Sequence, residues 1–143
     1  MSRGSVLGLD PGERRVGVAL AVAGAGVALP LATLERTAAW LDRLADLARE
    51  HGATAAVVGL PVSLSGAEGP AAERARTFAA EVGSRLGLPV HLVDERLSTV
   101  AAGRALAAGG TRGRRAARTI DASAAAVILQ AWLDRSAAAQ SAK

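Results

Sequence analysis

The sequence contains no cysteine in its 143 residues. This absence excludes disulfide frameworks, thiolate zinc sites and cysteine nucleophiles, and it makes a reducing compartment such as the cytoplasm the natural setting. Aromatic residues make up only 2% of the chain, so stacking of bases on aromatic side chains is an unfavourable binding mode. Lysine occurs once, at Lys143, and nearly all of the basic residues are therefore arginine.

The sequence also lacks a segment that we interpret as membrane-spanning. Val16–Leu34 is uncharged and long enough to cross a bilayer. Gly17, Gly24, Gly26 and Pro30 interrupt this run, which is typical of two strands joined by a glycine-rich turn. We expect neither a cleavable signal sequence nor a membrane partner.

Length and composition predict one domain over residues 1–143, with a frayed tail from about 134 to 143. Hydrophobic residues make up 50% of the chain, which suffices for a buried core without disulfides or a structural metal.

Acidic residues are missing from one long stretch, between Glu95 and Asp121. Six arginines lie in the same stretch: Arg96, Arg104, Arg112, Arg114, Arg115 and Arg118. The formal net charge is +4, and the charge distribution favours a polyanionic partner such as nucleic acid. A solvated basic loop without function is the alternative interpretation.

The hydrophobic periodicity predicts an α/β domain with a mixed sheet. Three strands come first and form an antiparallel meander: Ser5–Asp10, Arg15–Val22 and Gly26–Leu34. Helices and buried strands then alternate: helix Ala38–His51, strand Ala55–Leu60, helix Pro70–Leu86 and strand Pro89–Val93. The remainder is predicted as a short helix from Ser98 or Thr99 to Gly109-Gly110, a mobile basic loop over residues 110–115 and a helix Thr119–Leu133.

Three carboxylates stand out by their placement in this pattern. Asp10 ends the first strand, Glu95 follows the last strand, and Asp121 is predicted in the first turn of the final helix. Carboxylates gathered at one sheet edge repel one another, and a divalent cation relieves the repulsion. Oxygen ligands favour Mg²⁺ or Mn²⁺, as one ion or two. Taken singly, Asp10 also fits a turn residue before Pro-Gly, and Asp121 a favourable charge at a helix N-terminus.

Four segments of the chain resemble the signature segments of the YqgF family, described as pre-16S rRNA nucleases or Holliday junction resolvase-like proteins. They are Gly8–Ala19, Val58–Pro61, Asp94–Thr99 and Ile120–Ala125. The resemblance covers residues 5 to 133, and its most distinctive part is Asp-Glu-Arg-Leu-Ser-Thr.

The resemblance implies a ribonuclease H-like fold, in which three antiparallel strands and two parallel strands form a mixed sheet flanked by helices. It also implies a metal-dependent endonuclease that matures the 5′ end of 16S rRNA in the bacterial cytoplasm. Branched DNA is the alternative substrate, and a ribosomal precursor particle is a candidate partner. Asp10, Glu95 and Asp121 would bind Mg²⁺ or Mn²⁺, with Asp94 as a lesser candidate.

The same resemblance assigns the substrate contacts. Arg96 would contact phosphate or brace Glu95, and Ser98 or Thr99 would cap a helix or touch the nucleic-acid backbone. Gly59 and the loop from Val62 to Gly69 would line the cleft. The basic segment would attract phosphates through its arginines: Arg112, Arg114, Arg115 and Arg118.

The sequence departs from the family pattern at two places. Leu20-Ala21 stands where members often carry Ser-Asp, and Ala101 stands where they often carry glutamate. Two other classes of protein stay open on the residues alone. The first hairpin also resembles the phosphate-binding hairpin of actin-like ATPases and sugar kinases, and the arginines suit a non-catalytic nucleic-acid-binding protein.

Overall fold

A computed structural model describes residues 4–63, 65–97 and 114–141 of the chain. Its strands are β1 (Ser5–Pro11), β2 (Arg15–Ala21), β3 (Ala28–Glu35), β4 (Ala53–Leu60) and β5 (Val90–Asp94). Its α-helices are α1 (Trp40–Glu50), α2 (Pro70–Leu86) and α3 (Arg114–Ser141), and a 3-10 turn covers Glu95–Leu97. The strands form one sheet in the order β3-β2-β1-β4-β5.

The first three strands form the predicted meander. The chain turns over residues 12–14, directly after Pro11 ends β1, and the Gly12 amide donates to the carbonyl of Arg15 at 2.9 Å. β1 and β2 pair antiparallel, as do β2 and β3, whereas β4 pairs parallel to β1 and β5 parallel to β4. The mixed sheet predicted from the sequence is therefore confirmed.

The sheet buries side chains on both faces, and the two faces differ in kind. On the face that contacts α1 and α2, the core consists of large side chains such as Leu7, Leu9 and Val58. Trp40 of α1 and Phe78 of α2 stack there, with ring centroids 5.3 Å apart. The opposite face contacts α3 and contributes mostly smaller side chains: Ala19, Ala21, Val57 and Val93.

The predicted boundaries of the strands and of the first two helices lie within two residues of those observed. The final helix is different, since it begins at Arg114 rather than Thr119 and continues past Leu133 to Ser141. Arg114 and Arg115 therefore belong to a helix and not to a mobile loop, and the helix includes residues 134–141. The reason is composition: no glycine or proline interrupts residues 114–141, and alanine and arginine are strong helix formers.

Some expectations concern residues that the structure does not describe. The short helix predicted between Ser98 and Gly110 lies outside the described residues, as do Ser98, Thr99, Ala101 and Arg112. In the described part of the chain, no helix combines the length and the apolar character that crossing a bilayer requires.

Candidate active site

A row of residues crosses the sheet near the carboxyl end of β1. Asp10 of β1 pairs with Gly17 of β2. On the other side, Leu9 pairs with Val58, so Asp10 comes next to Gly59 of β4. Asp10 is therefore flanked by a glycine on each neighbouring strand, and its side chain is only 5% exposed.

Strand alternation places the Asp10 side chain on the face that contacts α3. Successive side chains of a strand point to opposite faces, so Asp10 shares its face with Gly8. A Cβ added to Gly8 would come within 2.6 Å of the Leu129 Cβ in α3. The helix thus lies directly on β1, and the Asp10 carboxylate lies at the end of that contact.

Glu95 extends over the neighbouring strand from its position directly after β5. A Cβ added to Gly59 would be 3.0 Å from Oε1 of Glu95 and 2.7 Å from Cδ1 of Ile128. The missing side chain of Gly59 therefore provides the space that the Glu95 carboxylate occupies. Glu95 is 8% exposed, and together with Gly59 it lines a groove of about 720 Å³. Gly59 was predicted to line a cleft, and it does so in this groove.

Asp121 reaches the same row from the helix above it. A Cβ added to Gly17 would lie 2.0 Å from the backbone carbonyl oxygen of Asp121, so the helix backbone contacts β2 at the residue that pairs with Asp10. The Asp121 carboxylate accepts a hydrogen bond from Nε of Arg15, with Oδ2 at 3.0 Å. Arg15 shares the face of Gly17, because the two residues are two positions apart on the same strand.

The predicted place of Asp121 in its helix is wrong. Because α3 begins at Arg114, Asp121 lies well beyond the first turn, which contains no acidic residue. A favourable interaction with the helix N-terminus falls off within the first turn and does not explain this carboxylate. Its observed partner is the guanidinium of Arg15.

Asp94 faces away from this row and is bound by Arg96. Nε and Nη2 of Arg96 both donate to the Asp94 carboxylate, at 3.0 Å and 2.6 Å to Oδ2, and the Arg96 amide donates to Oδ1 at 2.9 Å. The side-chain hydrogen bond from Arg96 lowers the pKa of Asp94 below its ordinary value. A Cβ on Gly66 would be 3.7 Å from Nη1 of Arg96, which brings the loop after β4 beside this pair.

The three carboxylates offer the donor set that Mg²⁺ and Mn²⁺ prefer, since all of the ligating atoms are oxygens. Asp10 at the end of β1 and Glu95 directly after β5 lie on either side of β4, and Asp121 lies on the other side of Asp10. In the part of the chain that the structure describes, no three acidic or histidine side chains lie close enough together to hold a metal ion. The carboxylates therefore converge on one sheet edge without closing into a metal cluster.

Sequence reasoning missed two arginines at this edge. The sequence pattern assigns no role to Arg15, although its spacing from Gly17 places it on the same face. Arg36 follows β3, and its Nη1 donates to the Gly12 carbonyl at 3.0 Å in the turn after Asp10. Its guanidinium carbon lies 5.1 Å from the centroid of the Trp40 ring, and no local sequence pattern indicates this contact.

The structure is similar to that of Thermus thermophilus RuvC in complex with a Holliday junction substrate. The TM-score is 0.54, and the similarity covers 90% of this chain and 92% of that chain at 17% sequence identity. A second structure of Thermus thermophilus RuvC gives a TM-score of 0.53. At this identity the likeness defines the fold alone, and the fold is ribonuclease H-like.

Residues 4–135 match the family described as RuvX, Holliday junction resolvase, and the chain belongs to this family. A protein of Moorella thermoacetica is 46% identical over 132 residues, covering 91% of this chain and 94% of that protein. A protein of Thermobifida fusca is 47% identical over 142 residues, covering 94% and 89% respectively. Both are named "Putative pre-16S rRNA nuclease". The resemblance inferred from the four signature segments is confirmed, and the chain is a nuclease that acts on nucleic acid.

Proposed function

We propose that this nuclease is a divalent-metal-dependent endonuclease that hydrolyses a phosphodiester bond of precursor 16S rRNA during maturation of its 5′ end. The observation that carries the proposal is the pair of buried carboxylates, Asp10 and Glu95, which flank Gly59 of β4, the glycine whose missing side chain leaves space for Glu95. The names of the relatives support the choice of substrate. The reaction belongs in the bacterial cytoplasm, and the substrate can be presented as part of a ribosomal precursor particle.

In this proposal Asp10, Glu95 and Asp121 hold one or two Mg²⁺ or Mn²⁺ ions. When bound, such ions supply activation of a water and stabilisation of the leaving oxygen of a phosphodiester. The donor set fits, because it contains only carboxylate oxygens. The protein contributes a rigid sheet edge, burial of two carboxylates from bulk water, and the close approach of α3.

The substrate contacts in this proposal come from the groove and from the arginine-rich segment. Gly59 lines the groove beside Glu95, and Arg96, the residue after Glu95, is exposed. Contacts to the phosphate backbone are assigned to the remaining predicted residues: Ser98, Thr99, Arg112, Arg114, Arg115 and Arg118. Such contacts determine affinity and carry no sequence information by themselves.

The experiment compares cleavage of precursor 16S rRNA with cleavage of a four-way DNA junction, in Mg²⁺ and in Mn²⁺, by wild type and by Asp10→Asn. We expect metal-dependent cleavage of the RNA by wild type and a loss of at least about 100-fold in Asp10→Asn, because a catalytic metal loses a charged ligand. Asp46→Asn, on the exposed side of α1, is the matched control and keeps wild-type activity. Cleavage by Asp10→Asn at the wild-type rate removes Asp10 from the reaction.

A second candidate is a resolvase of branched DNA. The family description and the similarity of the fold to that of RuvC favour it. It predicts that the four-way junction is cleaved more efficiently than the RNA in the same comparison. The non-catalytic alternative predicts salt-dependent binding of both substrates and cleavage of neither.

A further inference from the structure

The ion pair between Arg15 and Asp121 uses only part of each side chain. Nε of Arg15 donates to Oδ2 of Asp121 at 3.0 Å. Within the described residues, neither terminal nitrogen of this guanidinium makes a hydrogen bond, and neither does Oδ1 of Asp121. The side chains are 25% and 28% exposed, so both remain partly accessible to solvent.

The position of Arg15 places this ion pair where a substrate would arrive. Asp10 pairs with Gly17, and Arg15 lies two residues before Gly17, at the start of β2. This position is beyond the buried row and at the solvent edge of the sheet. The guanidinium fork matches the geometry of phosphate oxygens, to which arginine binds through two nitrogens. The unused nitrogens of Arg15 therefore suit a phosphate of the nucleic-acid backbone.

The same ion pair explains why the carboxylates do not close into a metal cluster. A guanidinium already neutralises Asp121, so this carboxylate has no electrostatic reason to turn toward Asp10 and Glu95. A divalent cation beside Asp121 would also be repelled by the positive charge of Arg15. The effect is appreciable at short range even in a solvated site.

We propose that Arg15 is a positioning residue that couples metal binding to substrate binding. In the free protein it pairs with Asp121 and lowers the affinity of the site for the cation. When nucleic acid binds, a backbone phosphate replaces Asp121 as the ion-pair partner of the Arg15 guanidinium. Asp121 then joins Asp10 and Glu95 as a ligand of the cation. Each charged group exchanges one partner for another, so none is left unpaired. This inference rests on the proposed function, because it requires that Asp121 be a metal ligand.

The test measures Mn²⁺ binding from the electron paramagnetic resonance signal of the free ion. For Arg15→Gln without nucleic acid, we expect binding about tenfold tighter than for wild type, the size given by removing one positive charge about 6 Å from a divalent ion in a solvated site. A single-stranded oligoribonucleotide, with its own Mn²⁺ binding measured separately and subtracted, tightens binding to wild type. It does not tighten binding to Arg15→Gln further.

Arg14→Gln is the matched control, because Arg14 is the exposed neighbour of Arg15 and the variant has the same net charge. We expect this variant to bind Mn²⁺ as wild type does. Arg15→Lys preserves the positive charge and is expected to keep the weak binding of wild type, which separates the effect of charge from a packing defect. Thermal unfolding of all three variants establishes that they are folded.

Two results would overturn the inference, and only the second would also overturn the proposed metal site. If Arg15→Gln binds Mn²⁺ no more tightly than Arg14→Gln while Asp10→Asn loses binding, the coupling is wrong and the metal-dependent nuclease stands. If Asp10→Asn and Asp121→Asn both bind Mn²⁺ as wild type does, the proposed metal site itself is wrong and the inference fails with it.

Discussion

The two faces of the sheet are built for different purposes. The face toward α1 and α2 is filled by large aliphatic and aromatic side chains, among them Leu9, Leu44 and Phe78. The face toward α3 contains glycines and alanines, and three of its glycines have no room for a Cβ. Large side chains contribute most of the apolar burial, whereas small ones allow one backbone to approach another. The comparison teaches that this domain stabilises itself on one face and positions its carboxylates on the other.

The largest effect on stability is expected from the large-residue face. Leu9→Ala removes a fully buried side chain and leaves a cavity between the sheet and the helices, which costs about 2–5 kcal/mol of unfolding free energy. Urea unfolding measures this loss, and cleavage per folded molecule stays near wild type. Val27→Ala, at a side chain that is 52% exposed, is the control and changes stability by less than about 0.5 kcal/mol.

Gly17→Ala tests the small-residue face where α3 touches β2. The new Cβ would lie 2.0 Å from the carbonyl oxygen of Asp121, so the helix must move away from the strand. We expect a loss of about 1–3 kcal/mol in stability and a fall of about 100-fold in cleavage rate, since misplacing a reacting group by about 1 Å has such an effect.

The control for that variant is Gly83→Ala in α2, where the atom nearest to an added Cβ is Cγ2 of Val90 at 3.3 Å. It is expected to keep cleavage near that of wild type and to change stability by no more than about 1 kcal/mol. Equal activity of Gly17→Ala and Gly83→Ala would mean that the close approach of α3 does not position the carboxylate.

Gly59→Ala separates the effect on stability from the effect on cleavage rate more clearly than Gly17→Ala does. The obstructing atoms are Oε1 of Glu95 and Cδ1 of Ile128, both at the ends of flexible side chains that can move. We therefore expect a stability loss of about 1 kcal/mol and a larger proportional loss of cleavage, because the displaced atom is a carboxylate of the site. Thermal unfolding measures the loss of stability, and initial rates measure the loss of cleavage. A loss of stability without a loss of cleavage rate would contradict the role given to Glu95.

The smallest effect is expected from the ion pair between Asp94 and Arg96. The side-chain hydrogen bond from Arg96 holds the pKa of Asp94 below its ordinary value, so the pair stabilises the fold above the unfolded-state pKa of about 3.9. That contribution is lost as the pH falls through the lower pKa of the folded state. Asp94→Asn should therefore unfold with a shallower dependence on pH below about pH 4, measured by thermal melts from pH 6 to pH 2. If the melting temperatures of wild type and Asp94→Asn fall equally below about pH 4, the ion pair does not contribute to stability in acid.

Much of the fold was predictable because its signals are local. Pro11-Gly12 predicts a turn, and the run of small and apolar residues from Ala55 to Leu60 predicts a buried strand, and both were confirmed. The start of α3 was not predictable from local signals, because Arg114–Arg118 has the composition of a helix as well as the charge of a basic loop.

The candidate site was predictable only in part. Asp10 and Glu95 were selected because each lies at the end of a strand, and the structure places them on either side of Gly59 in β4, the strand between β1 and β5. The partnership of Arg15 and Asp121 joins residues that are 106 positions apart, and only the packing of α3 on β2 brings them together. The assignment of the three carboxylates as metal ligands stays a prediction.

Arg36 connects the two faces that the comparison separates. Its guanidinium donates to the Gly12 carbonyl in the turn after Asp10, and it lies over both rings of the Trp40–Phe78 stack on the other face. The turn that follows the buried carboxylate is thus fastened to the aromatic centre of the larger core. A disturbance of that stack can reach the turn after Asp10 through a single side chain, without passing through α3 or the sheet. The position of this turn therefore depends on an aromatic contact made on the opposite face of the sheet.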